Sequence, residues 1–128
     1  MNVCIYGAGA IGGFIGARLA AQDHAVSAVA RGATLAALHA QGLRLRSAGG
    51  DLRAAVRAAE DPAQLGPQDL VVVAVKGPAM PDVAARIAPL LGPDTMVLTA
   101  MNGVPWWFFS GMPGPCAGFA LRTLDPVG

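Results

Sequence analysis

Apolar positions along the chain fall into short unbroken runs more often than into alternating ones. Asn2-Val3-Cys4-Ile5-Tyr6, Ala25 to Ala30, Leu70 to Val75 and Thr95 to Ala100 are four such runs, rich in β-branched residues. Continuous apolar runs of this length suit strands buried on both faces, the situation inside a parallel sheet. Leu70-Val71-Val72-Val73-Ala74-Val75 is the most β-prone of them and takes a central place. Between the runs the period changes. Ile11, Phe14, Ile15, Ala17, Leu19 and Ala20 are dense enough for a helix wedged against a sheet, and Gln22-Asp23-His24 reads as the turn that leaves it. Ala33 to Gln41 predicts a short helix with Leu35 and Leu38 on one face, stopped by Gly42. Pro81 opens another, with Val83, Ile87, Leu90 and Leu91 as its apolar face. Pro89 shortens or kinks it, and Gly92-Pro93 stops it. Only Leu43 to Ser47 alternates, predicting a half-exposed strand; Ala48 to Asp51 is turn material, and Leu52 to Ala59 returns as its hairpin partner. Pro62 to Pro67 is a linker with room for one helical turn, and Phe119 to Leu124 can begin a last strand.

The first run breaks into Gly7-Ala8-Gly9-Ala10-Ile11-Gly12, a G-x-G-x-x-G between a strand and a helix. In that setting the first glycine permits the tight turn, the second lets backbone approach a pyrophosphate, and the third lets helix and strand pack closely. The free N–H groups and partial positive charge of the helix start suit phosphate oxygens. Strands alternating with helices behind such a turn predict an α/β fold, a Rossmann-type doubly wound and mainly parallel sheet. The second run ends at Arg31-Gly32, 19 positions after Gly12, where an NAD-specific fold carries an acid for the ribose hydroxyl. An arginine there offers two parallel hydrogen bonds to a 2′-phosphate, which points to NADP rather than NAD or FAD. Lys76, the only lysine, ends the third run, and Asn102 follows the fourth. Ligands of open α/β sheets sit beyond the carboxyl ends of the strands. Lys76 is therefore expected to share a crevice with Gly7–Gly12 and Arg31. Asn102 can donate and accept toward a carboxamide or a substrate oxygen, or simply form the turn before Gly103.

Composition narrows the field. With 128 residues, 13 % charged and 54 % apolar, the chain is neither disordered nor a nucleic-acid coat, and it has enough length for one core. Arg44, Arg46, Arg53 and Arg57 lie among Asp51, Glu60 and Asp61, a solvated hairpin face rather than a nucleic-acid site. Cys4 and Cys116 lack metal or redox spacing and read as reduced thiols. His24 has no partner ligand at useful spacing, and His39 faces solvent on its helix. No metal site is expected. No run reaches the length of a membrane span, and the N-terminus lacks the basic start of a signal peptide, which predicts a cytoplasmic protein. Trp106 to Phe109 holds four of the seven aromatic residues, and core, cleft wall and docking surface are all open to it. Residues 1–104 read as the dinucleotide-binding domain and 105–128 as its aromatic, Gly/Pro-rich end.

With Gly7–Gly12, Arg31-Gly32, Val75-Lys76 and Asn102-Gly103-Val104 in place, the chain resembles the ketopantoate reductases (2-dehydropantoate 2-reductases), over the N-terminal half of that family. The resemblance implies that Gly7, Ala8, Gly9, Ala10, Ile11 and Gly12 hold the pyrophosphate and Arg31 the 2′-phosphate. It places Lys76 near the pyrophosphate or nicotinamide ribose, and Asn102 on that ribose and on the 2-keto acid substrate. The implied reaction is NADPH-dependent reduction of 2-dehydropantoate to pantoate, in pantothenate biosynthesis. Met101 stands where the family usually has Gln, and nothing after Asn102 resembles the family's helical domain with its general-acid lysine. The chain therefore reads as a cofactor-binding fragment, inactive alone and without a catalytic residue of its own. Its aromatic run would pack on the helical domain or on another copy. A stand-alone NADP-binding module, or part of another two-domain hydroxy-acid dehydrogenase, are the alternatives.

Overall fold

The computed structural model describes residues 1–48, 50–105 and 108–122. The elements run β1 (Asn2–Tyr6), α1 (Ala10–Ala20), β2 (Ala25–Val29), α2 (Gly32–Gln41), β3 (Leu43–Ser47), β4 (Gly50–Ala54), β5 (Arg57–Ala59), β6 (Leu70–Val73), α3 (Met80–Arg86) and β7 (Met96–Thr99). Five strands form one sheet in the order β5-β2-β1-β6-β7, every pair parallel. Val3 lies opposite Val26 on one side and Leu70 on the other, so β1 is central.

The unbroken apolar runs are explained by cover on both faces. Val3, Ile5, Ala28 and Val72 pack with Ala17 of α1, Leu38 of α2 and Leu43. Cys4, Tyr6, Val71 and Val73 pack on the other face with Val83 of α3, Leu65 and Leu90. Val71, Val72 and Val73 are 1 % exposed or less, and burying a side chain of this size fully stabilises by about 1.5–3 kcal/mol. Ser27 and Gln68, the buried polar pair of this core among the described residues, are satisfied internally. Ser27 Oγ donates to the Val3 carbonyl at 3.3 Å and to Gln68 Oε1 at 3.2 Å.

Four expectations need correction. Leu52 to Ala59 is not one returning strand: β4 pairs with β3 only as far as Ala54, and Arg57–Ala59 joins the main sheet beside β2. Two small residues, Ala58 and Ala59, let this segment lie beneath α2, where His39 Nε2 stands 2.9 Å from the Ala58 carbonyl. His39 is thus exposed but not idle. The Thr95 to Ala100 run does form β7, yet all four of its residues are exposed, since β7 pairs with β6 alone among the described residues. Leu91 is likewise 39 % exposed, because Pro89 breaks the helix at Arg86 and turns the last apolar position outward. Phe119 to Arg122 is not strand, and the rest of that expected strand lies outside the described residues.

The hairpin carries its own charges. Arg44 pairs with Asp51 at 3.0 Å, and Arg46 approaches the same carboxylate at 4.0 Å. Arg53 sits opposite Arg44 in the register, and the Arg57 guanidinium donates to the Gln64 carbonyl. Exposed pairs of this kind contribute about 0–1 kcal/mol each. Cys4 and Cys116 are free thiols. Among the described residues no helix is long and apolar enough to cross a membrane, and no cluster of His, Cys, Asp or Glu could hold a metal.

Candidate dinucleotide site

The glycine turn owes its shape to what surrounds it. Gly7 leaves β1 with φ +96°, in the left-handed region, and a Cβ there would come within 2.7 Å of Val75 Cγ1. A Cβ on Gly12 would collide with the Gly7 carbonyl oxygen and lie 2.8 Å from Ile5 Cγ2, so this glycine lets α1 cross close over β1. Gly9 differs: a Cβ built on it meets nothing within 4 Å. Neither backbone strain nor neighbours require glycine at that position. The opening above it faces the start of α1, which has no side-chain cap and no acid in its first turn. Its leading N–H groups are therefore uncompensated, and a phosphate is the group that would satisfy them.

A crevice opens beside this turn, at the carboxyl ends of the central strands. Tyr6, Gly7, Ala8 and Gly9 form one wall; Val29, Ala30, Arg31 and Thr34 a second; Val75, Ala79, Val83 and Arg86 a third. Glu60 and Asp82 complete it. Arg31 caps α2 in extended conformation and is exposed, and that helix too starts without an acid or a side-chain cap. Two helix N-termini and an arginine thus meet at one crevice. The other arginine is engaged. Arg86 Nη2 donates to the Glu60 carbonyl at 2.8 Å, and Nη1 lies 3.7 Å from the Asp82 carboxylate, one turn away on α3. Among the described residues Arg31 has no carboxylate within ion-pair distance. The free cation of the crevice is therefore the one that sequence spacing singles out.

Not every expected residue joins this group. Ala10 and Ile11 are exposed on the first turn of α1, and Gly12 is buried beneath it. Lys76 is exposed and outside the crevice lining. β6 stops pairing with β1 and β7 at Val73, and the chain then runs extended through Lys76 into a short helical turn at Gly77–Ala79, which presents Val75 and Ala79 to the crevice instead. Asn102 is exposed in the loop after β7. Trp106 and Trp107 lie outside the described residues; Phe108 and Phe109 meet edge to face with ring centres 5.2 Å apart, and Phe108 remains 42 % exposed.

Several polar residues of the crevice gave no sequence signal. Thr34 sits in the first turn of α2, and Glu60 follows the short strand β5 that reads as hairpin in the sequence. Asp82 and Arg86 have the i, i+4 spacing of a helix pair, the one local cue to these two side chains. Tyr6 is 5 % exposed, and its hydroxyl is buried without a hydrogen-bond partner. Burial pushes the Tyr6 phenol above its ordinary value, as it does the Cys4 thiol, which is raised to about 11.

A model of the ketopantoate reductase PanE/ApbA family matches residues 3–105. A 2-dehydropantoate 2-reductase of Mesorhizobium japonicum is 49 % identical to the whole chain, which spans 40 % of that relative's length. A crystal structure of a Ralstonia solanacearum protein described as a ketopantoate reductase superposes with a TM-score of 0.89 at 57 % identity, over 98 % of this chain and 39 % of that one. D-mandelate dehydrogenase, solved with NADH and anilino(oxo)acetate, gives a TM-score of 0.74 at 25 % identity over 81 % of this chain and 34 % of its own. With a match over residues 3–105 and the parallel five-stranded sheet, the chain belongs to the ketopantoate reductase PanE/ApbA family.

Proposed function

We propose that this chain is the NADPH-binding part of an enzyme that reduces 2-dehydropantoate to pantoate, in pantothenate biosynthesis in the cytoplasm. The observation that carries the proposal is Arg31, a cation without an ion-pair partner among the described residues, at the start of α2 in the crevice that also receives the glycine turn. In this reading the backbone of Gly7, Ala8 and Gly9 lies along the pyrophosphate, and the N–H groups of Ala10, Ile11 and Gly12 take its oxygens. Arg31 takes the 2′-phosphate, which NADH lacks. When bound, the cofactor supplies the hydride that turns the ketone into an alcohol. Lys76 and Asn102, beyond the carboxyl ends of β6 and β7, then lie toward the nicotinamide ribose, with Asn102 also reaching the keto acid. The ketone oxygen needs a proton as the hydride arrives. We assign no residue among these 128 to that task. The chain spans 40 % of its curated relative, and we place the proton donor in the sequence that relatives carry beyond this part.

A second reading, part of another hydroxy-acid dehydrogenase, draws on the likeness to D-mandelate dehydrogenase with NADH. Arg31 stands against it, because a free guanidinium at the ribose end gives NADH nothing comparable to pair with. The test of the site itself is Gly9→Val. The added side chain has open space in the free chain, so the variant folds, and it fills the volume proposed for the pyrophosphate. Calorimetric titration with NADPH should show binding to the parent chain and none to the variant, with unchanged circular dichroism. A folded variant that keeps its NADPH affinity would reduce the fingerprint to a turn.

A further inference from the structure

We infer that the Tyr6 hydroxyl, buried without a partner at the wall of the free crevice, is a nucleotide-contacting group that a small shift of the ring brings to the adenosine end of a bound dinucleotide. This rests on the dinucleotide reading above and adds to it a residue with no place in the glycine fingerprint.

Among the described residues, Tyr6 Oη is the one buried side-chain oxygen or nitrogen of a non-exposed residue that has no hydrogen bond. Native proteins rarely leave such a group unsatisfied, and each instance calls for an explanation. Packing supplies none. The ring lies among Cys4, Val29, Val73 and Val83, an apolar setting that Phe or Leu would fill as well. The oxygen therefore adds no packing while carrying the desolvation cost of an unmade bond.

Its position suggests what would satisfy it. Tyr6 is the last residue of β1, directly before Gly7, and lines the crevice together with Arg31, Asp82 and Arg86. Those three are also the charged side chains whose fields reach the phenol. In a doubly wound sheet the dinucleotide crosses at the first helix start, with its adenosine toward the end of β2. That is the side on which Val29, Ala30 and Arg31 stand. Burial holds the phenol protonated, so it offers both a donor and an acceptor without charge. A neutral group suits the ribose and purine atoms of adenosine, whereas the phosphates are served by Arg31 and the two helix starts.

A buried structural water is the competing explanation, and the two differ in sign. Tyr6→Phe removes the oxygen and keeps the ring. If adenosine is the partner, the free variant is at least as stable as the parent, because an unsatisfied group is gone. Its affinity for NADPH and for NADH falls by the same factor, about three- to tenfold, since both share the adenosine. This common loss separates Tyr6 from Arg31, whose effect concerns NADPH alone. Tyr6 is the only tyrosine in the chain, so 13C-tyrosine labelling yields one phenol resonance, which should shift on adding either nucleotide to the parent. The inference is overturned if Tyr6→Phe leaves both affinities unchanged, or if it lowers the thermal midpoint of the free chain, as loss of a water-bonded hydroxyl would. If the parent itself binds neither nucleotide, the dinucleotide reading fails, and this inference with it.

Discussion

Gly9 and Gly12 stand three positions apart and are glycine for different reasons. Gly12 is held to glycine by the protein, because any Cβ would strike the Gly7 carbonyl; Gly9 is free of such contacts, and the space beside it is open. Sequence spacing locates both positions, since a G-x-G-x-x-G between strand and helix fixes each glycine's surroundings. Arg31 was legible for the same reason: the length of one strand–helix–strand unit sets which residue stands at the end of β2. Glu60, Asp82 and Arg86 were not, because distant segments bring them to the crevice, and the i, i+4 spacing of Asp82 and Arg86 marks a helix pair and not a site. Cys4 offers a test at this scale that involves no ligand. Burial raises its thiol to about 11, opposed by weaker hydrogen bonds from Ser27 and the Val29 backbone. A thiol whose folded value exceeds its unfolded one makes the unfolded chain lose its proton first, so stability is full below about pH 9 and falls as pH rises toward 11. A shift of this size corresponds to about 2–3 kcal/mol. Urea unfolding from pH 8 to 10 should show the decline begin above pH 9, and Cys4→Ala, though less stable throughout, should flatten it. An equal slope in the variant would assign the decline to other groups.

Elements follow the local sequence signals unevenly, and the departures share a cause. α1, α2, β1, β2 and β6 fall where periodicity, Gly42 and the glycine turn place them, because local signals and tertiary burial agree. β5 and β7 depart because strand pairing and cover depend on what lies alongside. Nothing local distinguishes Arg57–Ala59 as a partner of β2 from a continuation of the hairpin. Nothing in Met96–Thr99 reveals that its outer edge and both faces stand open among the described residues; Met96 is 67 % exposed, Val97 45 % and Leu98 50 %. An open, apolar edge strand is a template for further pairing. The isolated chain should therefore bind a hydrophobic dye and associate with rising concentration. A lysine on such an edge opposes pairing through charge and lost apolar area, so Val97→Lys should reduce both effects without altering NADPH affinity. Dye binding and sedimentation unchanged by Val97→Lys would place the sticky surface elsewhere, with Phe108 and Phe119, 42 % and 62 % exposed, the next candidates.

At the scale of the molecule, the order β5-β2-β1-β6-β7 brings the carboxyl ends of β1, β2 and β6 to one crevice and puts the glycine turn and Arg31 on adjoining walls. That architecture was legible because a parallel sheet covered on both faces leaves a distinctive record of continuous apolar runs separated by helices. The nicotinamide and substrate side was less so: Lys76 and Asn102 are exposed and stand apart from the crevice lining. Their proposed roles draw on the family to which the chain belongs. The cofactor is where these features meet. We propose that Arg31 makes this crevice an NADPH site rather than a general dinucleotide site. Isothermal titration of NADPH and NADH into the parent chain and Arg31→Ala tests it most directly. A charge-assisted contact of about 1.5–3 kcal/mol predicts NADPH binding weakened roughly 10- to 150-fold in the variant, with NADH nearly unchanged. Equal losses for the two cofactors, or a parent chain that binds NADH as tightly as NADPH, would contradict it.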